Sequence, residues 1–208
     1  MIRVEGLKKR YEHRLILRGI DFQLAAGEAI GIRGANGSGK STLIQILAGR
    51  LRATGGSVTV EAPLGPGPMS WLGHQPGVYL DFTARENLEF FSKLAGTPHG
   101  FRWSVDAAME EMGISGTGKK RVRAFSRGMK QRVALARLMV EGRSVWLLDE
   151  PGTGLDVVSR GLLGGLVAQH QERGGACILV SHHEDLLTDI PCRVLTLSKG
   201  VLAPGGPG

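Results

Sequence analysis

The sequence predicts an α/β fold built around a largely parallel sheet. Short apolar segments alternate along the 208 residues with longer segments that carry apolar residues at helical spacing. Two of the apolar segments, VWLL (145–148) and CILV (177–180), lack polar alternation, which is typical of central strands covered on both faces. A glycine-rich stretch, GANGSGKST (34–42), separates one strand segment from the helical pattern that follows it.

The individual elements divide the chain into a core and a helical insertion. Strands are predicted over residues 2–7, 29–34, 57–62, 70–75, 144–150, 176–182 and 193–198. Helices are predicted over residues 40–49, 83–94, 105–112, 127–140 and 157–171. The glycine-rich end, 200–208, predicts a hairpin and a frayed terminus. We therefore expect one domain over 1–208, with an α/β core (1–81 and 141–208) and a helical insertion (about 82–140).

Composition is that of an ordinary globular protein, with 42% hydrophobic and 22% charged residues. No apolar run approaches the ~20 residues needed to span a bilayer, and the N-terminal segment lacks the apolar core of a secretory signal. We expect a cytoplasmic protein. The two cysteines, Cys177 and Cys192, lie in separate apolar stretches without CxxC spacing, which favours free buried thiols over a metal or redox site.

The net charge of +7 leaves several anionic partners open. Basic residues concentrate in two segments, 8–18 and 119–137. Such a surface favours nucleic acid, an anionic membrane face or phosphates, and the charge alone does not choose between them.

The glycine-rich stretch has the pattern of a phosphate-binding loop. Gly34, Gly39, Lys40 and Ser41 match G-x-x-x-x-G-K-[ST] between a strand and a helix. In that context backbone N–H groups converge on phosphate oxygens and the helix N-terminus adds partial positive charge. Lys40 is predicted to reach the β- and γ-phosphates, Ser41 to ligate Mg²⁺ and Thr42 to contact phosphate. The alternative is a plain glycine-rich turn. The remaining predicted nucleotide contacts in the loop are Asn36, Gly37 and Ser38.

A second strand ends in two acidic residues, VWLLDE (145–150). Phosphoryl transfer needs a carboxylate for the metal and a group that positions water. We predict that Asp149 holds Mg²⁺, directly or through water, and that Glu150 polarises the attacking water. In isolation, two solvated acids at a strand end are common, and beside the glycine loop this interpretation becomes the minor alternative.

With both motifs in place, the chain resembles the ATP-binding-cassette (ABC) ATPase subunits over nearly its whole length. The stretch FSRGMKQRVALARLMV (125–140) is similar to the signature segment of that family and the helix that follows it. Ser126 and Gly128 match the positions that contact the γ-phosphate of ATP held by the opposite subunit. The segment departs from the usual LSGGQ at three positions, namely Phe125, Arg127 and Met129.

The resemblance implies roles for other residues in the order of the family. Gln75 matches the glutamine that senses Mg²⁺ and couples to the membrane partner, and Asp156, after Gly154 and Leu155, matches the D-loop. His182 matches the switch histidine, with His183 as its competing neighbour, and Tyr11 matches the aromatic that stacks on adenine. Taken singly, each of these residues also fits a surface or core position.

The resemblance implies an α/β P-loop NTPase core with a mainly parallel sheet, an N-terminal antiparallel β part and a helical insertion. It implies ATP and Mg²⁺ as cofactors, and a homodimer or heterodimer that sandwiches ATP. It also implies integral membrane permease subunits that dock on the helical insertion and the Gln75 loop, at the cytoplasmic face of the inner membrane. Direct nucleic-acid binding is not expected.

Within the family, the stretches 73–94 and 147–175 resemble the ATPase that exports haem for bacterial cytochrome c maturation. FSRGMKQR is also similar to small export ATPases of the drug, polysaccharide or lipid type, so these stay open. A soluble ABC ATPase acting on DNA or ribosomes is a less favoured alternative, because such proteins generally carry tandem cassettes or a coiled-coil insertion and this sequence has room for neither. A P-loop kinase or GTPase would not explain the signature segment or His182, and no NKxD stretch is present.

Overall fold

The computed structural model of the chain describes residues 2–60, 69–96, 103–153, 157–182, 184–188 and 190–205. Its strands are β1 (Ile2–Tyr11), β2 (Arg14–Leu24), β3 (Ala29–Arg33), β4 (Gly55–Val60), β5 (Met69–Leu72), β6 (Val145–Asp149), β7 (Ala176–Val180), β8 (Arg193–Ser198) and β9 (Val201–Pro204). Its α-helices are α1 (Lys40–Leu47), α2 (Ala84–Leu94), α3 (Val105–Glu111), α4 (Arg127–Glu141), α5 (Val157–Glu172) and α6 (Glu184–Thr188).

The described strands form two sheets. A three-stranded antiparallel sheet has the order β2-β1-β4, and a six-stranded sheet has the order β5-β6-β7-β3-β8-β9. All pairs in the six-stranded sheet are parallel except β8 with β9. The predicted α/β fold, with its mainly parallel sheet and N-terminal antiparallel part, is therefore confirmed.

Strand β2 is absent from the sequence-based prediction. Its inward positions alternate, with Ile20, Phe22 and Leu24 buried and the residues between them exposed or half-buried. This period of two is the signal for a half-buried strand, but Gly19 and the charges in the first half of the strand obscure it. The prediction of strand 70–75 was too long, because β5 ends at Leu72 and the chain leaves the sheet at Gly73.

The six-stranded sheet is covered on both faces, as the apolar strand segments predict. Trp146 and Leu148 of β6 pack into one hydrophobic cluster, while Val145 and Leu147 pack into the other. Cys177 belongs to the first cluster, and both cysteines are free, with Cys177 buried and Cys192 half-buried. Burial therefore accounts for the apolar runs in the central strands.

Helices α2, α3 and α4 lie between β5 and β6 in the chain and pack on one another. Thr83 begins α2 with a capping box, in which its hydroxyl accepts from the Glu86 backbone N–H and the Glu86 carboxylate accepts from the Thr83 backbone N–H. Gly142 ends α4 in a left-handed conformation, φ 62°. These three helices match their predicted positions, whereas the exact limits of the insertion, about 82–140, stay a prediction.

The parallel order determines where loops meet. Strands β6, β7 and β3 are neighbours, and their carboxyl ends lie at one edge of the sheet. The loop after β3, the acidic pair at the end of β6 and the residues after β7 are thereby brought together. Ligand sites of open parallel sheets form at this edge.

A buried histidine packs against the amino-terminal half of β6. His170 of α5 is 4% exposed, and its ring stacks on Trp146 with the centroids 3.8 Å apart and the planes 7° from parallel. Its Nε2 donates to the carbonyl oxygen of Ser144 over 3.2 Å. Because burial disfavours the charged imidazolium, the pKa of His170 is lowered from 6.5 to about 4.

We expect His170 to make the fold sensitive to acid. Between pH 6.5 and about 4 the unfolded chain binds a proton at this residue and the folded chain does not, so stability falls as the pH falls through this window. By pH 4 the expected loss in the free energy of unfolding is on the order of 3 kcal/mol. Urea unfolding of the wild type and His170→Gln at several pH values measures it. A constant difference in unfolding free energy between the two proteins across this window would contradict the assignment.

Candidate active site

The loop between β3 and α1 has a backbone conformation that depends on glycine. Gly37 and Gly39 have φ values of 79° and 108°, in the region that residues with a Cβ rarely adopt. A Cβ at Gly34 would overlap the Leu197 carbonyl oxygen. Gly39 caps α1 without a side-chain hydrogen bond, and the first turn of α1 contains no acidic residue. A glycine-dependent loop that leads into a helix N-terminus without a capping side chain is a backbone arrangement that suits an anion.

Lys40 lies at the centre of this loop. It is 6% exposed, and its Nζ donates to the carbonyl oxygens of Gly34 over 2.6 Å and Ala35 over 3.1 Å. These two contacts keep the ammonium group beside the loop that is predicted to bind phosphates. A phosphate oxygen would be a stronger, charge-assisted acceptor for the same donors.

The carboxylate of Asp149 is suited to a cation. Asp149 is 5% exposed, and its Oδ1 has no hydrogen-bond partner among the described residues. Burial and the neighbouring Glu150 raise the pKa of Asp149, while a hydrogen bond from the Ser41 hydroxyl and the charge of Lys40 oppose that shift. A buried oxygen that lacks a donor, next to a hydroxyl, is the donor set that Mg²⁺ prefers.

Glu150 and His182 are in direct contact. His182 Nδ1 lies 2.8 Å from Glu150 Oε1, and the backbone N–H of His182 donates to Oε2 over 3.3 Å. Glu150 has a left-handed backbone conformation, φ 55°, which is unfavourable for a residue with a Cβ. Its backbone is held by a hydrogen bond from its N–H to Val180 and another from Thr153 N–H to its carbonyl oxygen. The carboxylate therefore has a defined direction, toward the histidine.

One cavity of about 510 Å³ collects most of the predicted site. Lys40, Glu150 and His182 line it, and so do Arg14 and Ile16 of β2, which the sequence analysis did not assign to the site. Tyr11 lies at the rim, with 48% of its surface exposed. The other predicted residues that line this cavity are Asn36, Gly37, Gly39, Ser41 and Thr42.

Gln75 lines a neighbouring cavity of about 610 Å³, which extends toward the helical part of the chain. Asp149 also lines this cavity, so two of the three predicted metal ligands face the same space, while Ser41 lines the cavity of Lys40. The sequence analysis missed one buried residue here. Arg137 of α4 donates to backbone carbonyls on either side of Gln75, and only its position in the apolar pattern of α4 could have indicated that it is buried.

Ser126 and Gly128 lie apart from these cavities, at the start of α4. Ser126 is exposed and its Oγ accepts from the Met129 N–H over 3.2 Å as the N-cap. Two of the three departures from the usual signature sequence have a packing reason. Phe125 is 5% exposed in the core, and Met129 packs against the same cluster. Separation from Lys40 in one chain is what a site shared between two copies requires.

Three predicted positions of the D-loop, Gly154, Leu155 and Asp156, lie outside the described residues. His183, the alternative to His182, lies outside them as well. Asp156 and the choice between the two histidines therefore stay predictions.

A strand, a glycine loop with a buried lysine, a helix and a carboxylate on the next strand but one of the same parallel sheet define a P-loop nucleotide-binding protein. The family described as ABC transporter matches residues 17–153. This chain belongs to the ABC transporter family, and within it the chain is an ATP-binding and ATP-hydrolysing subunit. The resemblance stated from the signature segment is confirmed.

Curated relatives cover most of the chain. The cytochrome c biogenesis ATP-binding export protein CcmA of Rhizobium meliloti is 40% identical over 184 residues, which are 86% of this chain and 89% of the relative. The protein of the same name from Salmonella typhi is 34% identical over 215 aligned residues, which span 100% of both chains. The corresponding protein of Cupriavidus pinatubonensis is 38% identical and covers 81% of this chain and 77% of its own.

Solved structures agree on the fold. The ATP binding subunit of an ABC transporter superimposes with a TM-score of 0.86 at 21% identity, covering 99% of this chain and 89% of that one. The ADP conformation of an ATP-binding cassette of an ABC transporter gives a TM-score of 0.82 at 21% identity, covering 100% and 91%. Identity this low supports the architecture only.

We expect Lys40→Ala to weaken nucleotide binding. The substitution removes a buried ammonium whose hydrogen bonds to phosphate are charge-assisted, each contributing about 1.5–3 kcal/mol, so the Kd for ATP rises by ~10- to 100-fold or more. Equilibrium dialysis with labelled ATP measures the change, and ATP turnover falls with it. Unaltered binding and turnover would contradict the phosphate-loop assignment.

Proposed function

We propose that the chain binds Mg-ATP in the cavity of Lys40, Glu150 and His182 and hydrolyses it to power haem export for cytochrome c biogenesis. The observation that carries the proposal is that one cavity is lined by Lys40, the hydroxyl residues Ser41 and Thr42, Glu150 and His182. Phosphoryl transfer uses groups of these kinds to hold phosphates and a metal ion and to position water. The export part of the proposal is supported by the printed names of the relatives with 34–40% identity.

Phosphate binding is assigned to the loop and to Lys40. The phosphate contacts are assigned to backbone N–H groups of this loop and of the start of α1, apart from that of Ser38, which donates to the Ala35 carbonyl oxygen over 3.1 Å. Thr42 adds a hydroxyl. On nucleotide binding, Lys40 exchanges its contacts with two carbonyls for contacts with β- and γ-phosphate oxygens. Tyr11 stacks on adenine at the open rim of the cavity, which is supported by its 48% exposure.

Mg²⁺ binding is assigned to Ser41, Asp149 and Gln75. The unsatisfied Oδ1 of Asp149 and the facing Ser41 hydroxyl fit this ion, and Gln75 faces the cavity that Asp149 also lines. When bound, the metal neutralises charge on the phosphate oxygens. The chain's own part is to hold these oxygen atoms before the metal arrives.

Water activation is assigned to Glu150, and His182 controls it. In the present geometry His182 Nδ1–H donates to Glu150, so a neutral imidazole leaves Nε2 as an acceptor only. His182 must therefore turn away from Glu150, or carry a second proton, before it can donate to the γ-phosphate. Turning the His182 ring away also leaves Glu150 Oε1 free to accept a hydrogen bond from the attacking water.

A second copy of the chain, or of a related subunit, completes the site. Ser126 is exposed and Gly128 half-buried at a helix N-terminus, and neither lines the cavity of Lys40 in the same chain. In the proposed head-to-tail dimer they cover the γ-phosphate held by the opposite loop, and Asp156 crosses the interface. The basic residues near α4 favour the bound anion.

Permease docking is assigned to the aromatic surface next to the Gln75 cavity. Tyr79, Phe82 and Phe90 are 47%, 36% and 37% exposed and pack on one another, with the Tyr79 ring centroid 5.1 Å from each of the other two. The buried side chain of Asn87 holds this surface by hydrogen bonds to both backbone groups of Tyr79. Exposed aromatic surface of this kind marks interaction sites. We place the chain peripherally at the cytoplasmic face of the inner membrane.

Among the helices that the structure describes, none combines the length and the apolar character that a bilayer crossing needs.

We expect Glu150→Gln to retain ATP in a closed dimer. The amide keeps the shape of the side chain but cannot take a proton from water, so turnover falls by ~10²-fold or more while binding persists. Size-exclusion chromatography with Mg-ATP separates dimer from monomer, and Lys40→Ala is the control that stays monomeric. A Glu150→Gln protein that stays monomeric at saturating Mg-ATP, alone and beside its permease, would count against the shared site.

His182→Ala should slow hydrolysis by ~10²-fold and leave the Kd for ATP within a few-fold, because its contact is made in the transition state. Single-turnover hydrolysis and equilibrium binding measure the two effects separately. The opposite pattern, with His183→Ala slowing hydrolysis and His182→Ala not, would transfer the role to the neighbour.

Haem export is tested in cells that depend on this chain for cytochrome c. Cells that carry only Glu150→Gln should make the apoprotein but lack covalently haem-bound cytochrome c, as measured by haem staining of membranes. Wild-type levels of haem staining with the inactive variant would overturn the haem assignment and leave the ATPase assignment intact.

A further inference from the structure

A buried arginine holds both ends of the Gln75 loop. Arg137 of α4 is 8% exposed, and its guanidinium donates to the carbonyl oxygen of Trp71 over 2.6 Å and to that of Gly77 over 2.8 Å. Trp71 lies in β5, before the loop, and Gly77 lies just after Gln75. One side chain therefore fixes the distance between two points of the backbone that Gln75 connects.

The guanidinium is itself held on its other sides. Its Nε lies 3.4 Å from Glu141 Oε1 in an ion pair along α4, and the Glu141 carboxylate also accepts from the Ser70 hydroxyl of β5. The Phe91 ring of α2 lies 5.1 Å from the guanidinium carbon. Arginine is thereby fixed by α2, α4 and β5 at once.

The loop is shaped to this arginine. Gly77 has a φ of 63°, and a Cβ at this position would lie 2.8 Å from Arg137 Nη1. Both the backbone conformation and the space favour glycine. The carbonyl of Gly77 is thus brought to the guanidinium by a turn that a larger residue would strain.

We propose that Arg137 is a positioning residue that keeps Gln75 at the cavity that Asp149 also lines, and that connects this loop to α4, whose N-cap is Ser126. The planar fork of arginine satisfies two carbonyls in fixed directions, which the single ammonium of lysine cannot reproduce. Arg137 acts through Gln75 and does not contact the nucleotide cavity. The inference rests on the proposed role of Gln75 in Mg²⁺ binding.

The matched control lies on the same helix. Arg132 donates to the Ser159 hydroxyl over 2.8 Å and 3.2 Å and to the Met112 carbonyl oxygen over 3.4 Å, which joins α4 to α5 and to the end of α3. Arg132→Lys removes a comparable fork without a contact to the Gln75 loop. A general loss of stability in α4 would affect both variants alike. Thermal unfolding of each variant measures that loss, so that it can be separated from an effect on the Gln75 loop.

The first measurement is hydrogen–deuterium exchange of the purified chain. Arg137→Lys should speed exchange of the amides in residues 73–77 by tenfold or more, and Arg132→Lys should leave them unchanged. Gly77→Ala, which disturbs the same contact from the loop, should reproduce the Arg137→Lys pattern. Unchanged exchange in 73–77 for Arg137→Lys would overturn the inference, whatever the ATPase activity is.

The second measurement is the Mg²⁺ dependence of ATP hydrolysis. Outer-shell residues of metal sites typically affect metal affinity by ~10- to 100-fold, so Arg137→Lys should raise the Mg²⁺ concentration for half-maximal kcat about tenfold and leave the KM for ATP at saturating Mg²⁺ nearly unchanged. In a Gln75→Ala background the same substitution should add no further shift. A full additional shift there, or an equal shift in Arg132→Lys, would overturn the inference.

The two measurements separate the inference from the function on which it rests. If the wild type shows no Mg²⁺-dependent hydrolysis, the proposed function fails, and hydrogen exchange still decides whether Arg137 holds the loop.

Discussion

The parallel alignment of β6, β7 and β3 is the constraint on which the site depends. Each strand contributes a different group at the same edge of the sheet. Asp149 ends β6 and Glu150 follows it, His182 comes after β7, and the glycine loop comes after β3. No side chain of the site has to reach across the molecule. Because both faces of these strands are covered by apolar clusters, the register that brings the groups together is held by the core itself.

Two charged side chains are buried at this edge of the sheet. Lys40 and Asp149 are almost fully removed from water, which is unfavourable for isolated ions. Lys40 is compensated by two backbone carbonyls, whereas Asp149 keeps one oxygen without a donor among the described residues. The fold therefore retains an electrostatic cost at the position where a cation would relieve it, and this cost is part of the preparation of the site.

Local patterns in the sequence predict those parts of the site that lie within one segment. The glycine loop, the acidic pair and the start of α4 each carry their meaning in consecutive residues, and the structure has them at a strand–helix junction, a strand end and a helix cap. Arg14 and Arg137 could not be found in this way. Arg14 lines the cavity because β2 pairs with β1, which the sequence did not predict. Arg137 has the sequence context of any residue in a helix, and its role depends on the carbonyls of Trp71 and Gly77, which are distant in sequence. Strand β5 was overestimated for a related reason, because an apolar run does not show where a chain turns away from its sheet.

The backbone of Glu150 has an implication for how this protein can change over time. A φ of 55° lies in the left-handed region, which glycine and asparagine adopt at lower cost than glutamate does. If backbone strain alone decided the residue at this position, glycine or asparagine would be favoured over glutamate. Glutamate at position 150 therefore costs the fold some stability. If relatives retain it, the reason is the carboxylate needed for ATP turnover and not the stability of the fold.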